Sequence, residues 1–214
     1  MFASARRELF SAVIGDVMDR MGLQHQFLPP AITPLERSMI VCGRALTVLE
    51  ADIDEAVPVD RPFGLMLDAL DDLRTDEVYI CTGASPRYAL WGELMSVRAM
   101  KCGAAGAVVD GYSRDTRGVL SLGFPLFSHG SYAQDQGPRG KVIDFRIPIQ
   151  MGQVRVSPGD IVFGDADGVC VVPRVAEQEA LGLAFEKARK EKIVRKALEE
   201  GVSARDAFEK YGVL

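Results

Sequence analysis

A chain of 214 residues, 48% apolar and 26% charged, can bury a sizeable core, which excludes large-scale disorder. Its net charge of −5, with no clustered Lys/Arg face, argues against a nucleic-acid partner. An acidic chain that grips an anion must supply local positive charge from an arginine, a metal or a helix N-terminus.

The N-terminus is charged and soon amphipathic, without the apolar run of a secretory leader, and no stretch reaches the length of a membrane span. A cytoplasmic protein with no membrane partner is therefore expected. Ser4 to Met21 predicts one amphipathic helix, with Phe10, Val13, Ile14, Val17 and Met21 at spacings of three and four and Gly22 as its stop. Pro29, Pro30 and Pro34 mark an extended connector. Ile40–Cys42 and Ala45–Leu49 read as strand, Gly64–Leu73 as a short helix, and Glu77–Cys81 as a strand ending at Gly83. Gly92–Lys101 reads as a helix with Leu94, Val97 and Met100 turned inward. Ala107–Val109 and Pro125–Phe127 are short apolar strands, the first closed by Asp110-Gly111.

From Lys141 onward strands follow each other with little between them: Val142–Ile147, Val154–Val156, Ile161–Phe163 and Val169–Val172. Turn sequences separate the last three, at Ser157–Asp160 and Gly164–Gly168. Beyond Pro173 the pattern is helical. Leu181, Ala184, Phe185 and Ala188 form one apolar stripe and Ile193, Val194, Ala197 and Leu198 another, with the charged Arg189–Lys192 between them. A last short helix covers Ser203–Tyr211. The expected architecture is one α/β domain over residues 1–214, with a core to about residue 173 and a helical tail over 174–214.

Several motifs fail. Cys42, Cys81, Cys102 and Cys170 form no Cys-x-x-Cys pair and sit in or beside apolar runs, as buried reduced thiols do. Gly103-Ala-Ala-Gly106 follows a helix and precedes a strand, the wrong order for a dinucleotide turn. Asp165-Ala-Asp-Gly168 departs from calcium-loop spacing and reads as a hairpin turn. Of the seven lysines only Lys101 follows an apolar stretch, near a helix end where lysine is favoured anyway, so imine chemistry has no clear candidate. No Gly-x-Ser-x-Gly elbow is present.

Two loops remain. At Trp91-Gly92-Glu93-Leu94-Met95 a helix begins, and its first amides lack internal partners and attract anions. At Val109–Asp115 an apolar strand ends in a loop carrying Arg114 and Asp115, the kind of place where α/β proteins bind ligands. Spacing alone leaves two readings open: an anion and metal site, or a solvated ion pair beside a first-turn acid favoured by the helix dipole.

The segment Trp91-Gly-Glu-Leu-Met95, with Cys102-Gly-Ala-Ala-Gly-Ala-Val-Val-Asp-Gly-Tyr-Ser-Arg114-Asp115, resembles the signature of the RraA-like family. So does Val156-Ser-Pro-Gly-Asp through Val172-Pro173. That family includes metal-dependent (class II) pyruvate aldolases acting on 4-hydroxy-4-methyl-2-oxoglutarate, which also decarboxylate oxaloacetate, and the regulator of ribonuclease activity. The resemblance implies a β/β/α swivelling-domain fold, a homotrimer or homohexamer, and a site shared between subunits. It implies that Asp115 binds Mg²⁺ or Mn²⁺ directly and that Arg114 holds the pyruvyl group of a 2-oxo acid. Backbone amides across Gly92, Glu93, Leu94 and Met95 would hold the carboxylate. Glu93 would reach the metal through water, as would an acid from a neighbouring subunit's C-terminal helix, matched here to Glu191 with Glu186 as its rival. The alternative is a non-enzymatic regulator that binds a ribonuclease. Retention of the C-terminal helices and of Glu93, Arg114 and Asp115 favours the enzyme.

Overall fold

The computed structural model describes residues 1–54 and 62–213. The chain opens with α1 (Phe2–Glu8) and α2 (Ser11–Arg20), followed by β1 (Thr33–Pro34) and the long β2 (Val41–Asp52). Next come β3 (Phe63–Gly64), α3 (Met66–Asp71), β4 (Glu77–Thr82), β5 (Ala89–Trp91) and α4 (Glu93–Lys101). Then follow β6 (Gly106–Val109), β7 (Tyr112–Ser113), α5 (Thr116–Leu122) and β8 (Leu126–Ser128). The strand-rich part holds β9 (Gly140–Phe145), β10 (Ile149–Met151), β11 (Val154–Val156), β12 (Ile161–Asp165) and β13 (Gly168–Val172). Helices α6 (Glu177–Glu199) and α7 (Ala204–Tyr211) close the chain.

The main sheet runs β1-β8-β6-β4-β2-β12-β13, and β9 pairs with the far half of β2. Strands β2, β4, β6 and β8 are parallel, so each link between them must cross over, and α3, α4 and α5 do so on one face. There Leu46, Tyr79, Cys81, Leu70, Ala99 and Phe124 share a core. The β10–β11 hairpin covers the other face with Met151, Val154 and Val156 against Ile80 and Val108. Helices α1, α2 and α6 pack on β12 and β13 through Ile14, Met18, Leu181 and Phe163. The Asp165–Gly168 turn joins β12 to β13, as the hairpin reading expected.

Four local expectations are corrected. The first helix is two, because Leu9 and Phe10 are extended and Asp165 caps a fresh start, accepting from Ser11 N and Ser11 Oγ at 2.7 Å each. The two strand pieces around Gly43 are one, since a Cβ there would lie 2.3 Å from Asp76 O and only glycine lets the strand pass. Helix α3 is shorter than Gly64–Leu73. In α4 the inward face carries Ser96 and Ala99, while Leu94, Val97 and Met100 are 83%, 47% and 43% exposed. Small residues let α4 lie close on the sheet, and Trp91 Nε1 fixes it by donating to Ser96 Oγ at 2.8 Å.

In the tail the two stripes lie on one continuous helix. Lys187, read from sequence as one of the lysines in polar surroundings, is buried between Asp16 at 2.8 Å and Glu191. Burial pulls its pKa down, but the hydrogen bonds to the two carboxylates outweigh that and raise it, so it stays charged and is no imine nucleophile. All four cysteines are free thiols. Among the described residues no helix is long and apolar enough to cross a membrane.

Candidate active site

The chain leaves β4 and β6 at neighbouring points of the sheet, and the two exits are tied by a ladder of their own. Strands β5 and β7 pair in parallel, apart from the main sheet, with Ala89 beside Tyr112 and Trp91 beside Ser113. Arg114 N extends the ladder by donating to Trp91 O at 2.8 Å. Gly92 and Arg114–Asp115 therefore emerge side by side, each at the start of a helix.

Asp115 begins α5 in the left-handed region, with φ 57° and ψ 35°, a conformation aspartate adopts more readily than most residues. That backbone sends its carboxylate back towards α4. Oδ2 accepts from Glu93 N at 3.2 Å. A Cβ at position 92 would lie 2.6 Å from the same oxygen, so glycine is needed there for close approach. Glu93 returns the contact. A Cβ on Gly118 of α5 would lie 2.3 Å from the Glu93 carboxyl carbon. Two glycines thus let two helix starts cross with a carboxylate from each between them.

Arg114 Nη1 pairs with Asp135 Oδ1 at 2.8 Å, and its Nε lies 3.9 Å from Asp115 Oδ2. Asp135 Oδ2 accepts from Gly137 N at 3.2 Å, and Ala89 N donates to Gln134 O at 2.9 Å, stitching the 134–140 turn to the ladder. A cleft of about 470 Å³ opens here. Gly92, Met95, Arg114, Asp115 and Asp135 form its polar end, and Phe63, Met66, Leu70 and Leu90 its apolar wall. The amides of Leu94 and Met95, in the first turn of α4, have no acceptor inside the helix, which begins bonding at Ser96 N to Gly92 O. A guanidinium and open amides facing one cleft suit a small carboxylate.

The donor set also suits a hard cation. Asp115 Oδ1 carries no hydrogen bond from the described residues, whereas Oδ2 is engaged, and Glu93 adds a second carboxylate nearby. No three His, Cys, Asp or Glu side chains gather among the described residues, which does not fit a tetrahedral zinc site. One carboxylate with water in the remaining positions fits Mg²⁺ or Mn²⁺, which keep much of their hydration.

The sequence-predicted residues Gly92, Glu93, Leu94, Met95, Arg114 and Asp115 are thus together. Glu191 and Glu186 are not with them in the same chain. Both lie on α6, packed beside α2, where Glu191 pairs with Lys187 and Glu186 lines a separate cleft with Val17 and Arg20. Sequence reasoning missed Asp135, the ion-pair partner of Arg114, because nothing in its turn distinguishes it from any Asp-x-Gly loop. It also passed over the Asp110–His129 pair at 3.1 Å, with Tyr112 edge-on to the imidazole, at the ends of β6 and β8.

Comparison with known proteins bears on the fold and the family. A protein of Halalkalibacterium halodurans, provisionally named 4-hydroxy-4-methyl-2-oxoglutarate aldolase, is 32% identical over 216 residues, covering 97% of this chain and 93% of that one. The crystal structure of Streptomyces coelicolor RraAS2, described as an unusual member of the RNase ES inhibitor RraA protein family, superposes with a TM-score of 0.79 at 26% identity, over 91% of this chain and 94% of that one. A Pseudomonas syringae protein shares the fold at a TM-score of 0.82 and 24% identity, over 96% of each chain. The family model described as RraA-like, Aldolase/RraA, matches residues 11–171. A family model over most of the chain and a relative alike along nearly its whole length show that the chain belongs to the RraA-like family.

Proposed function

We propose that this protein is a divalent-metal-dependent lyase that cleaves a 4-hydroxy-2-oxo acid to pyruvate by a retro-aldol reaction, with oxaloacetate decarboxylation as a second activity of the same site. The observation that carries this reading is the juxtaposition of Arg114, Asp115 and the first amides of α4 on one cleft. Asp115 would hold Mg²⁺ or Mn²⁺ directly, and Glu93 through water. The cation, when bound, supplies Lewis-acid polarisation of the 2-ketone.

The chain's own groups do the rest. The α4 amides and Arg114 bind and orient the pyruvyl carboxylate. As the C3–C4 bond breaks, negative charge moves onto the ketone oxygen and the product is pyruvate enolate. Arg114, already oriented by Asp135, stabilises that charge without reorganising. Water held near Asp115 and Glu93 takes the 4-hydroxyl proton. Loss of CO₂ from oxaloacetate leaves the same enolate, so one site serves both reactions.

A homotrimer or homohexamer accompanies this reading. Leu94 of α4 and Leu67 of α3 expose apolar surface on the cleft, which supports coverage by another subunit. Glu191 of that neighbour would complete the outer shell of the cation.

The test is pyruvate release from oxaloacetate and from a panel of 4-hydroxy-2-oxo acids with Mg²⁺ or Mn²⁺. Turnover abolished by EDTA and restored by either cation is expected. No release from any of these at saturating metal overturns the proposal. The likeness to RraAS2 favours a second reading, a regulator that binds a ribonuclease. Stoichiometric inhibition of such an enzyme by a chain silent in the pyruvate assay would select it.

A further inference from the structure

Glu50 stands on β2, on the face it shares with Leu46 and Val48, and only 2% of it reaches solvent. A carboxyl is costly in an apolar core unless its oxygens are satisfied. Here one is. Gln136 Nε2 donates to Oε2 at 2.8 Å. Among the described residues Oε1 is buried without a partner, and so is the hydroxyl of Tyr79 on the adjacent strand.

Gln136 belongs to the turn that orients Arg114. Its carbonyl accepts from Arg139 N at 2.7 Å and Gly140 N at 3.0 Å, closing the turn. The neighbouring Asp135 divides its carboxylate between Arg114 and Gly137 N. Strand β9 starts at Gly140 and pairs back onto β2, and its register slips by one residue at Glu50: Leu49 faces Asp144, but Glu50 faces Val142. Bulges of this kind re-aim side chains beside active sites. Glu50 therefore holds the turn from beneath while β9 holds it from one side.

We infer that Glu50 is a positioning residue for Arg114: by binding the buried Gln136 amide it fixes the 134–140 turn, so that Asp135 aims the guanidinium into the cleft. The inference rests on Arg114 being the group that binds the pyruvyl end. Burial pushes the Glu50 carboxyl up to about 8, and the Gln136 hydrogen bond offsets only part of that rise. The acid is neutral at pH 7. Tyr79 and Cys81 on β4 and Tyr88 beyond it face the same pocket of core, and burial raises all three, so they stay neutral too. Asp52, two residues further along β2, stays ionised throughout: burial opposes this, but hydrogen bonds from Ser85, Tyr88 and Arg87 hold it at about 2. Raising the pH above 8 puts a charge on a buried acid for which the Gln136 amide is the one hydrogen-bond donor among the described residues, and the turn must loosen to hydrate it.

Pyruvate binding in the presence of Mg²⁺ tests this, read from the fluorescence of the single tryptophan, Trp91, next to Gly92. For the parent chain Kd should rise about tenfold between pH 7 and 9, the cost of one hydrogen bond converted to affinity. Glu50→Gln keeps a carbonyl for Gln136 and cannot ionise, so it should match the parent at pH 7 and stay flat to pH 9. Glu50→Leu should bind about tenfold more weakly at every pH, because the Gln136 amide loses its acceptor. A parent chain with no alkaline loss, or a Glu50→Gln curve that falls as the parent's does, overturns the inference even if Glu50→Leu fails to fold. Arg114→Lys separates the two layers. If it binds pyruvate as the parent does, the assignment of Arg114 is wrong. If it binds weakly while Glu50→Gln leaves the pH profile unchanged, only the role of Glu50 is wrong.

Discussion

The Asp115 carboxylate caps a helix that is not its own: its Oδ2 receives the Glu93 N–H of α4 at 3.2 Å, while its backbone starts α5. The reach across is possible because Asp115 is left-handed and position 92 has no side chain. The structural cap and the proposed metal contact therefore fall on one side chain, on different oxygens.

Asp115→Asn separates these roles. Asparagine tolerates the left-handed region and still accepts from Glu93 N, but carries no charge. Pyruvate release should fall by at least about 10²-fold, while the melting temperature moves by only a few degrees. Asp115→Ala should lose the same activity and also about 1–2 kcal/mol of stability, from the lost cap and a strained backbone. A folded Asp115→Asn chain with near-normal turnover would sink the assignment.

Gly92→Ala should be as damaging to turnover as removal of the charge. Its methyl group would meet Asp115 Oδ2 at 2.6 Å and push the carboxylate out of place. Gly118→Ala meets the flexible end of Glu93 at 2.3 Å, so that acid can swing aside and the loss should be milder. Steady-state kcat for the two variants checks the order. Equal losses would mean that Glu93 matters as much as Asp115.

Sharing of the site between chains has a test that needs no structure of the assembly. Asp115→Asn and Glu191→Ala should each be impaired alone. Mixed after unfolding and refolding together, some interfaces would pair an intact Asp115 with an intact Glu191, and activity should rise well above the average of the two parents. A mixture no better than that average places Glu191 outside the site and leaves it as the partner of Lys187.

What the sequence made legible follows from how each signal is encoded. Gly92–Met95 and Arg114–Asp115 are contiguous motifs, so their residues were visible before any fold was known. Their approach across the β5–β7 ladder was not, because Ala89–Trp91 and Tyr112–Ser113 are too short to register as strands. The inward face of α4 was misread because apolar spacing marks a stripe without saying what it meets. Leu94 and Val97 are regularly spaced yet point away from this chain's core. Glu50 carried a usable signal. Counting by two from Leu46 and Val48 puts it on the buried face, but an acid following an apolar run reads as the end of a strand rather than as its interior. Asp135 carried none, since its partner Arg114 lies in a different loop.

Glu50 also makes a claim on stability. An unfolded chain holds this carboxyl near its ordinary 4.5, and the folded chain near 8. Between these values the native state keeps a proton that the unfolded state releases. Its stabilising contribution is complete below 4.5 and is lost as pH rises towards 8, at about 1.4 kcal/mol per unit. Asp52, held low, acts the other way: its contribution is present above the ordinary carboxylate range and is lost only in acid, outside this window. Urea unfolding from pH 5 to 8 should show Glu50→Gln gaining on the parent with every step. Parallel curves would show that the buried acid does not titrate as described.

The β5–β7 ladder has one further consequence. Gly92 and Arg114 are registered to each other by a short pair of strands outside the main sheet, while the apolar wall of the cleft, apart from Leu90 of β5, comes from α3 and the Phe63 region. The proposed anion grip and the α3 side of the wall are thus carried by different elements. Leu67 of α3, an exposed residue on the cleft, can be exchanged to reshape the space for the rest of a substrate without disturbing the core that Met66 and Leu70 share with Leu46 and Tyr79. For a designer this is a fixed socket with an interchangeable bore, and libraries confined to α3 are the place to retune what the protein accepts.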